Sequence, residues 1–125
     1  MSTKFYVCSH CGNIVEKVKD ARVPVMCCGK KMEELVPNTV EASGEKHVPV
    51  VSMEGGRLTV NVGAVDHPME DKHFIEWVHV DLENGSMRKS LKPGSHPNVV
   101  FELGAEKPVA VFAYCNLHGL WKAEL

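Results

Sequence analysis

The sequence lacks any run approaching the ~18 consecutive apolar residues of a membrane span, which excludes a helical membrane anchor. It also lacks an excess of one charge. Its 14 Lys and Arg stand against 16 Asp and Glu, a formal net charge of −2, so no basic field is available to hold nucleic acid. Aromatic residues make up only 6% of the chain, which weakens a nucleic-acid-binding zinc ribbon further. The first residues, Met1 through Cys8, contain no apolar h-region, so no secretory signal is expected. There is no internal repeat, no low-complexity tract and no amphipathic helix of more than a few turns. Cysteine is scarce and odd in number: there are five, four of them grouped at metal-ligand spacing. That pattern argues for reduced thiols in a cytoplasm rather than a disulfide framework.

What is present divides the chain in two. Residues 1–36 hold four of the five cysteines, whereas residues 46–125 hold six of the seven histidines and both tryptophans. Between them, Pro37-Asn38-Thr39 and Ala42-Ser43-Gly44 give residues 37–45 the composition of a linker. A unit of about 36 residues is too small to stabilise itself by apolar burial alone. One metal held by four thiolates would supply the missing free energy.

The larger part reads as all-β. Val48–Val51 and Leu58–Val62 flank Gly55-Gly56 and predict a hairpin. Phe74–Leu82 is β-branched and aromatic and ends at Asn84-Gly85, a tight-turn signal. Met87–Leu91, Val99–Leu103 and Val109–Tyr114 are further strands. About seven short strands at roughly ten-residue spacing predict a β-sandwich of the immunoglobulin-like kind.

Two groups of residues carry chemistry. Cys8-Ser9-His10-Cys11-Gly12 is a metal knuckle, in which two thiolates bracket a turn that Gly12 eases by accepting positive φ. With the adjacent pair Cys27-Cys28 it makes four sulfurs, able to hold zinc or iron in a distorted tetrahedron. The second group is Cys115 and His118, in Tyr114-Cys115-Asn116-Leu117-His118-Gly119, with His47, His67 and His73 upstream beside Pro or at strand ends. One thiolate and four imidazoles exceed the four ligands of a structural zinc. Five N/S donors suit a redox metal such as iron, with one face left for a small reactant. His10, His79 and His96 lack this context and read as solvated or structural residues.

Taken together, the four-cysteine set, Glu45-Lys46-His47-Val48-Pro49, His67-Pro68-Met69 with His73, and Cys115-Asn116-Leu117-His118-Gly119 resemble the desulfoferrodoxins, the two-iron class of superoxide reductase. The resemblance runs over nearly the whole chain. It implies a desulforedoxin-like N-terminal domain (1–36) with a tetrathiolate iron, an immunoglobulin-like catalytic domain (46–125) and a homodimer. It further implies His47, His67, His73 and His118 as equatorial ligands and Cys115 as the axial ligand of a second iron. Glu45 is then the carboxylate that closes the sixth position in the oxidised state, and Lys46 the cation beside it. The implied reaction is one-electron reduction of superoxide to peroxide, with electrons from a rubredoxin-like donor. The alternatives are a dismutase, which would also return oxygen, and an electron carrier or metal-stabilised module without turnover. One departure stands out: members of the family often carry an acidic residue two positions before the axial cysteine, and this chain has Ala113.

Overall fold

The computed structural model describes residues 2–125, which form two compact units, one ending at Val36 and the other spanning Pro37–Leu125. In the first, β1 (Phe5–Val7) lies between β2 (Ile14–Glu16) and β5 (Glu33–Glu34), both antiparallel to it. A two-residue ribbon, β3 (Met26–Cys27) with β4 (Lys30–Lys31), completes it. Phe5, Cys8 and Met32 are its only buried hydrophobic residues among those described, while Val18, Val23 and Met26 are largely exposed. This unit has very little apolar core.

The second unit opens with a single helical turn, α1 (Gly44–His47). Seven strands follow: β6 (Pro49–Glu54), β7 (Arg57–Val62), β8 (Ile75–Leu82), β9 (Gly85–Ser90), β10 (Asn98–Glu102), β11 (Pro108–Cys115) and β12 (Gly119–Glu124). They form two antiparallel sheets, ordered β10-β7-β6 and β12-β11-β8-β9. The chain is all-β, as its strand-rich pattern predicts, and the two sheets make an immunoglobulin-like sandwich. No helix among the described residues is long and apolar enough to cross a membrane.

The sheets close over one core because their strands alternate. On β7, Leu58, Val60 and Val62 are buried while Arg57 is exposed and Thr59 and Asn61 are half-buried. They meet Val99 and Phe101 of β10, Ile75, Val78 and Val80 of β8, and Val111, Ala113 and Cys115 of β11. Burying side chains of this size contributes roughly 1.5–3 kcal/mol each. Gly55 and Gly56 turn the β6–β7 hairpin, both at positive φ (57° and 78°), as a tight primed turn requires.

Three details depart from the sequence reading. The seventh strand is β12, which lies outside the six segments that the pattern identifies. The turn between β8 and β9 consists of Glu83-Asn84, one residue earlier than expected. Leu82 pairs with Gly85, and the Glu83 N–H is held by the Lys107 carbonyl at 3.0 Å. Finally, the stretch read as a linker is tied to the sandwich. Asn38 donates its backbone N–H to the Leu120 carbonyl (3.0 Å), and its side-chain amide pairs with both the N–H and the C=O of Lys122 (2.9 and 3.0 Å).

Candidate metal centres

The strand register brings five donor residues to one end of the sandwich. Pro49 pairs with Val62, so α1, just before β6, and the loop just after β7 emerge together, carrying His47 and His67. Cys115 ends β11 and pairs with Ile75 at the start of β8 and with Gly119 at the start of β12. His73 therefore lies just before β8 and His118 in the turn beside Cys115. A register shift between Tyr114 and Cys115 marks an irregularity there, of the kind that re-aims a side chain at a strand end.

The donor atoms of His47, His67, His73, Cys115 and His118 all lie within 4.8 Å of one another. The four imidazoles form a closed ring in the order 47, 67, 73, 118, with centroids 4.5, 4.7, 5.1 and 5.0 Å apart around it. Each is nearly perpendicular to the next, at 76° to 87°. Four blades set this way point nitrogens at a common centre. Cys115 is fully buried, and its Sγ lies 3.9 Å from Nδ1 of His118.

The hydrogen bonds show that this arrangement needs a cation. Nδ1–H of His47 donates to the Ser43 carbonyl (2.6 Å), and Nδ1–H of His67 donates to the Pro68 carbonyl (2.7 Å). A carbonyl can only accept, so these bonds fix both tautomers with a bare lone pair on Nε2. Those two Nε2 atoms face each other at 3.1 Å, and Nε2 of His47 is 3.2 Å from Nδ1 of His118. Protonating the rings is opposed by burial, which lowers the pKa of His47 and brings that of His67 down to about 4, with the neighbouring imidazoles adding to the effect. Neutral nitrogens with opposed lone pairs at this distance repel unless a cation lies between them. Nε2 of His73 is buried with no hydrogen-bond partner, which fits the same account. Burial also pushes the Cys115 thiol up, against backbone N–H groups of Leu117 and His118 that pull it down, so a bound cation is what would make it a thiolate.

Two residues that the sequence reading passed over support the ring. The indole of Trp121 lies 4.8 Å from the His47 ring at 30°, and its Nε1–H donates to the His118 carbonyl at 3.1 Å. One side chain thus braces two of the four imidazoles. Gly63 is the other. A Cβ there would come within 2.7 Å of the Glu45 carbonyl oxygen, 2.9 Å of the Lys46 carbonyl carbon and 3.0 Å of the Val48 oxygen. All three are backbone atoms around α1, so the turn itself would have to move. Gly63→Ala is therefore expected to weaken metal binding about 10-fold or more, as displaced supporting groups do. Gly85→Ala, where nothing lies within 4 Å, should leave it unchanged. Competitive cobalt titration of the two variants checks this, and equal affinities would refute it.

Glu45 and Lys46 sit on α1 beside His47 with exposed side chains. Ala113 is fully buried among the core residues, so a carboxylate at this position would be desolvated. His10 and His96 are exposed and outside both donor groups. His79 is buried and paired with Asp81 at 2.9 Å, a structural arrangement.

The second donor group is Cys8, Cys11, Cys27 and Cys28, again with all sulfurs within 4.8 Å. Cys11 to Cys27 is 3.6 Å and Cys27 to Cys28 is 4.0 Å. A tetrahedron with metal–sulfur bonds of about 2.3 Å has edges near 3.8 Å, whereas a disulfide would need about 2.05 Å. All five cysteines are unpaired. Backbone N–H groups of Cys11 and His10 bring Cys8 down to about 6, while its hydrogen-bonded neighbours Cys11 and Cys8 push Cys28 up to about 12. Four thiols in one cluster cannot all ionise without a cation to share their charge. The adjacent pair is accommodated by Cys28 in the left-handed region at φ 52°, followed by Gly29 at 73°. The knuckle places Gly12 at φ 83°, and the N–H groups of Cys11 and Asn13 point at sulfur, each at 3.5 Å. The chain thus contains a four-cysteine group, and a second group of four histidines and one cysteine, that could hold two irons.

Comparison with known proteins agrees with this geometry. The family model described as desulfoferrodoxin matches residues 39–124. A desulfoferrodoxin homolog of Archaeoglobus fulgidus is 45% identical over 118 residues, covering 94% of each chain. A desulfoferrodoxin of Nitratidesulfovibrio vulgaris is 46% identical over 121 residues, 97% of this chain and 95% of that one. Among solved structures, the superoxide reductase of Treponema pallidum superposes with a TM-score of 0.83 at 30% identity, covering 99% of this chain and 100% of that one. A matched segment that runs from just before α1 to the end of β12, and relatives aligned over nearly the full length, place this chain in the desulfoferrodoxin family.

Proposed function

We propose that the protein is a superoxide reductase, converting superoxide, one electron and two protons into hydrogen peroxide. The observation that carries this reading is the closed ring of four imidazoles with one buried thiol at a sandwich end. His47, His67, His73, His118 and Cys115 would together hold the iron, their donor atoms all lying within 4.8 Å of one another. Ferrous iron supplies the electron when bound. Neutral imidazoles and one thiolate leave that centre with net positive charge, which favours an anionic reactant. The superoxide reductases of Treponema pallidum and of Thermococcus kodakarensis support the assignment by structure and by sequence respectively.

Lys46, exposed on the same turn as His47, attracts superoxide to the open side. Glu45, exposed on the same turn, would offer its carboxylate to the oxidised centre, and protons would come from water. Cys8, Cys11, Cys27 and Cys28 hold a second iron. An external donor of the rubredoxin type returns the electron, and the chain works as a homodimer in the cytoplasm, where unpaired thiols persist.

The test is peroxide yield per superoxide consumed by the reduced, iron-loaded protein under anaerobic conditions. One peroxide per superoxide without oxygen identifies a reductase. Half a peroxide with oxygen evolved identifies a dismutase, and no acceleration leaves an electron carrier or a metal-stabilised module. Lys46→Ala should lower the second-order rate with superoxide about 10-fold at low salt and flatten its ionic-strength dependence, with cobalt affinity unchanged. An unaltered rate and salt slope in rapid mixing would remove Lys46 from the reading.

A further inference from the structure

We infer that Asn116 is a positioning residue that sets His73 against Cys115 and His118. The inference rests on reading His73 as a metal ligand and adds a cause for its placement. The four imidazoles are not held alike. His47 and His67 each anchor Nδ1 on a carbonyl, at 2.6 and 2.7 Å. The indole of Trp121 binds the carbonyl of His118 and packs on His47. His73 has no such hydrogen-bonded anchor among the described residues: its Nε2 is buried without a partner, and its ring stands T-shaped to those of His67 and His118. Its position depends on its backbone.

That backbone is gripped from both sides by one side chain. Oδ1 of Asn116 accepts the Phe74 N–H at 3.0 Å, and Nδ2 donates to the Lys72 carbonyl at 3.0 Å. The Asn116 N–H in turn donates to the Phe74 carbonyl at 3.2 Å. These three bonds bracket His73 between its two neighbours. The remaining support is a short bridge to Glu70, with N–H to carbonyl bonds of 2.9 and 3.1 Å in the two directions. Because Asn116 follows Cys115 and precedes His118 by two residues, the clamp fixes three of the five donors relative to one another.

The amide is suited to this in a way its near relatives are not. Lys72 offers an acceptor and Phe74 a donor, so the bridging group must present both kinds of atom about one residue apart. Asp offers only acceptors, Ser has one short hydroxyl, and Ala has neither. Groups that orient ligands without touching the metal typically change affinity 10–100-fold when removed.

The experiment is a double-mutant cycle on the full chain, reading cobalt(II) affinity of the His/Cys centre by competitive titration, with the bands of the four-cysteine centre as internal reference. Asn116→Ala is expected to weaken cobalt binding about 10–100-fold and to alter the ligand-field bands of that His/Cys centre. In the His73→Ala background the same change is expected to cost less than about 3-fold, because there is no ligand left to position. An equal loss in both backgrounds, or no loss in the first, overturns the inference. No loss from His73→Ala itself would overturn the reading of His73 as a ligand and the inference with it. If Asn116→Ala cannot be purified folded, Asn116→Asp is read in its place. It keeps the acceptor for Phe74 and loses the donor to Lys72, so a loss in affinity confined to the His73 background supports the clamp, and wild-type affinity refutes it.

Discussion

Cys115→Ser is expected to lower superoxide reduction by at least about 100-fold, beyond the 10–100-fold typical of groups that only support ligands, while leaving the sandwich folded. The replacement keeps the shape of the side chain, and Cys115 is fully enclosed at the end of β11 between Ile75 and Gly119. Packing is nearly conserved, and the N–H groups of Leu117 and His118 remain to meet the new oxygen. What is lost is the thiolate. A serine hydroxyl stays protonated under conditions in which a metal ionises a thiol, so one negative charge and a polarisable sulfur donor disappear together. The variant should still bind metal through four imidazoles, should lose the sulfur-to-metal charge-transfer absorption of that centre, and should unfold within a few degrees of the parent when metal-free. Undiminished peroxide production from superoxide would show that the thiolate is not part of the working centre.

The site was more legible in the sequence than its supports. Ligand spacing survives translation into one dimension because each donor sits at a strand end, beside Pro, Gly or a turn, where the chain must reverse. The fold was legible for a similar reason: β7 and β10 bury every second residue, so their period shows. β12 did not show because Leu120 and Trp121 are adjacent and both buried, which breaks the alternation. The cause is tertiary, since Trp121 packs on the imidazole of His47 and donates to the carbonyl of His118. His79 and Asp81 on β8 are buried as a pair, although a strand alternation would assign polar residues to solvent. Residues 37–45 have the composition of a linker, yet the amide of Asn38 joins the edge of β12 in place of a strand partner. The helical turn α1 spans four residues with no side-chain cap, too short for any periodicity to reveal it. The demand for glycine at position 63 arises from the backbone of Glu45, Lys46 and Val48, too distant along the chain for a local pattern to encode.

Stripping metal from the four-cysteine group is expected to unfold the first unit and leave the second folded. The reason lies in what the first unit buries. Phe5 and Met32, with Cys8 itself, are its enclosed hydrophobic residues among those described, and its strands are two or three residues long. Two apolar side chains contribute roughly 1.5–3 kcal/mol each, against an ordering cost of about 1–2 kcal/mol for every residue fixed. The sandwich instead encloses Leu58, Val60, Val62, Ile75, Val78, Val80, Phe101 and Val111 completely, with strands of five to eight residues. For the first unit, binding free energy of about 10 kcal/mol or more at a four-ligand site is folding free energy. Cys11→Ser isolates the effect, because Cys11 is exposed and its replacement disturbs no packing. In that variant, or in the parent treated with a chelator under reducing conditions, backbone amides of β1 and β2 should lose hydrogen-exchange protection. Those of β7, β8 and β11 should keep it. Persistent protection in β1 would mean that the short strands hold without metal. The same variant also separates two roles for this tetrathiolate centre. If donor-dependent turnover falls while single-turnover oxidation by superoxide is unchanged, the centre relays electrons; if both are unchanged although the unit has unfolded, its metal serves structure alone.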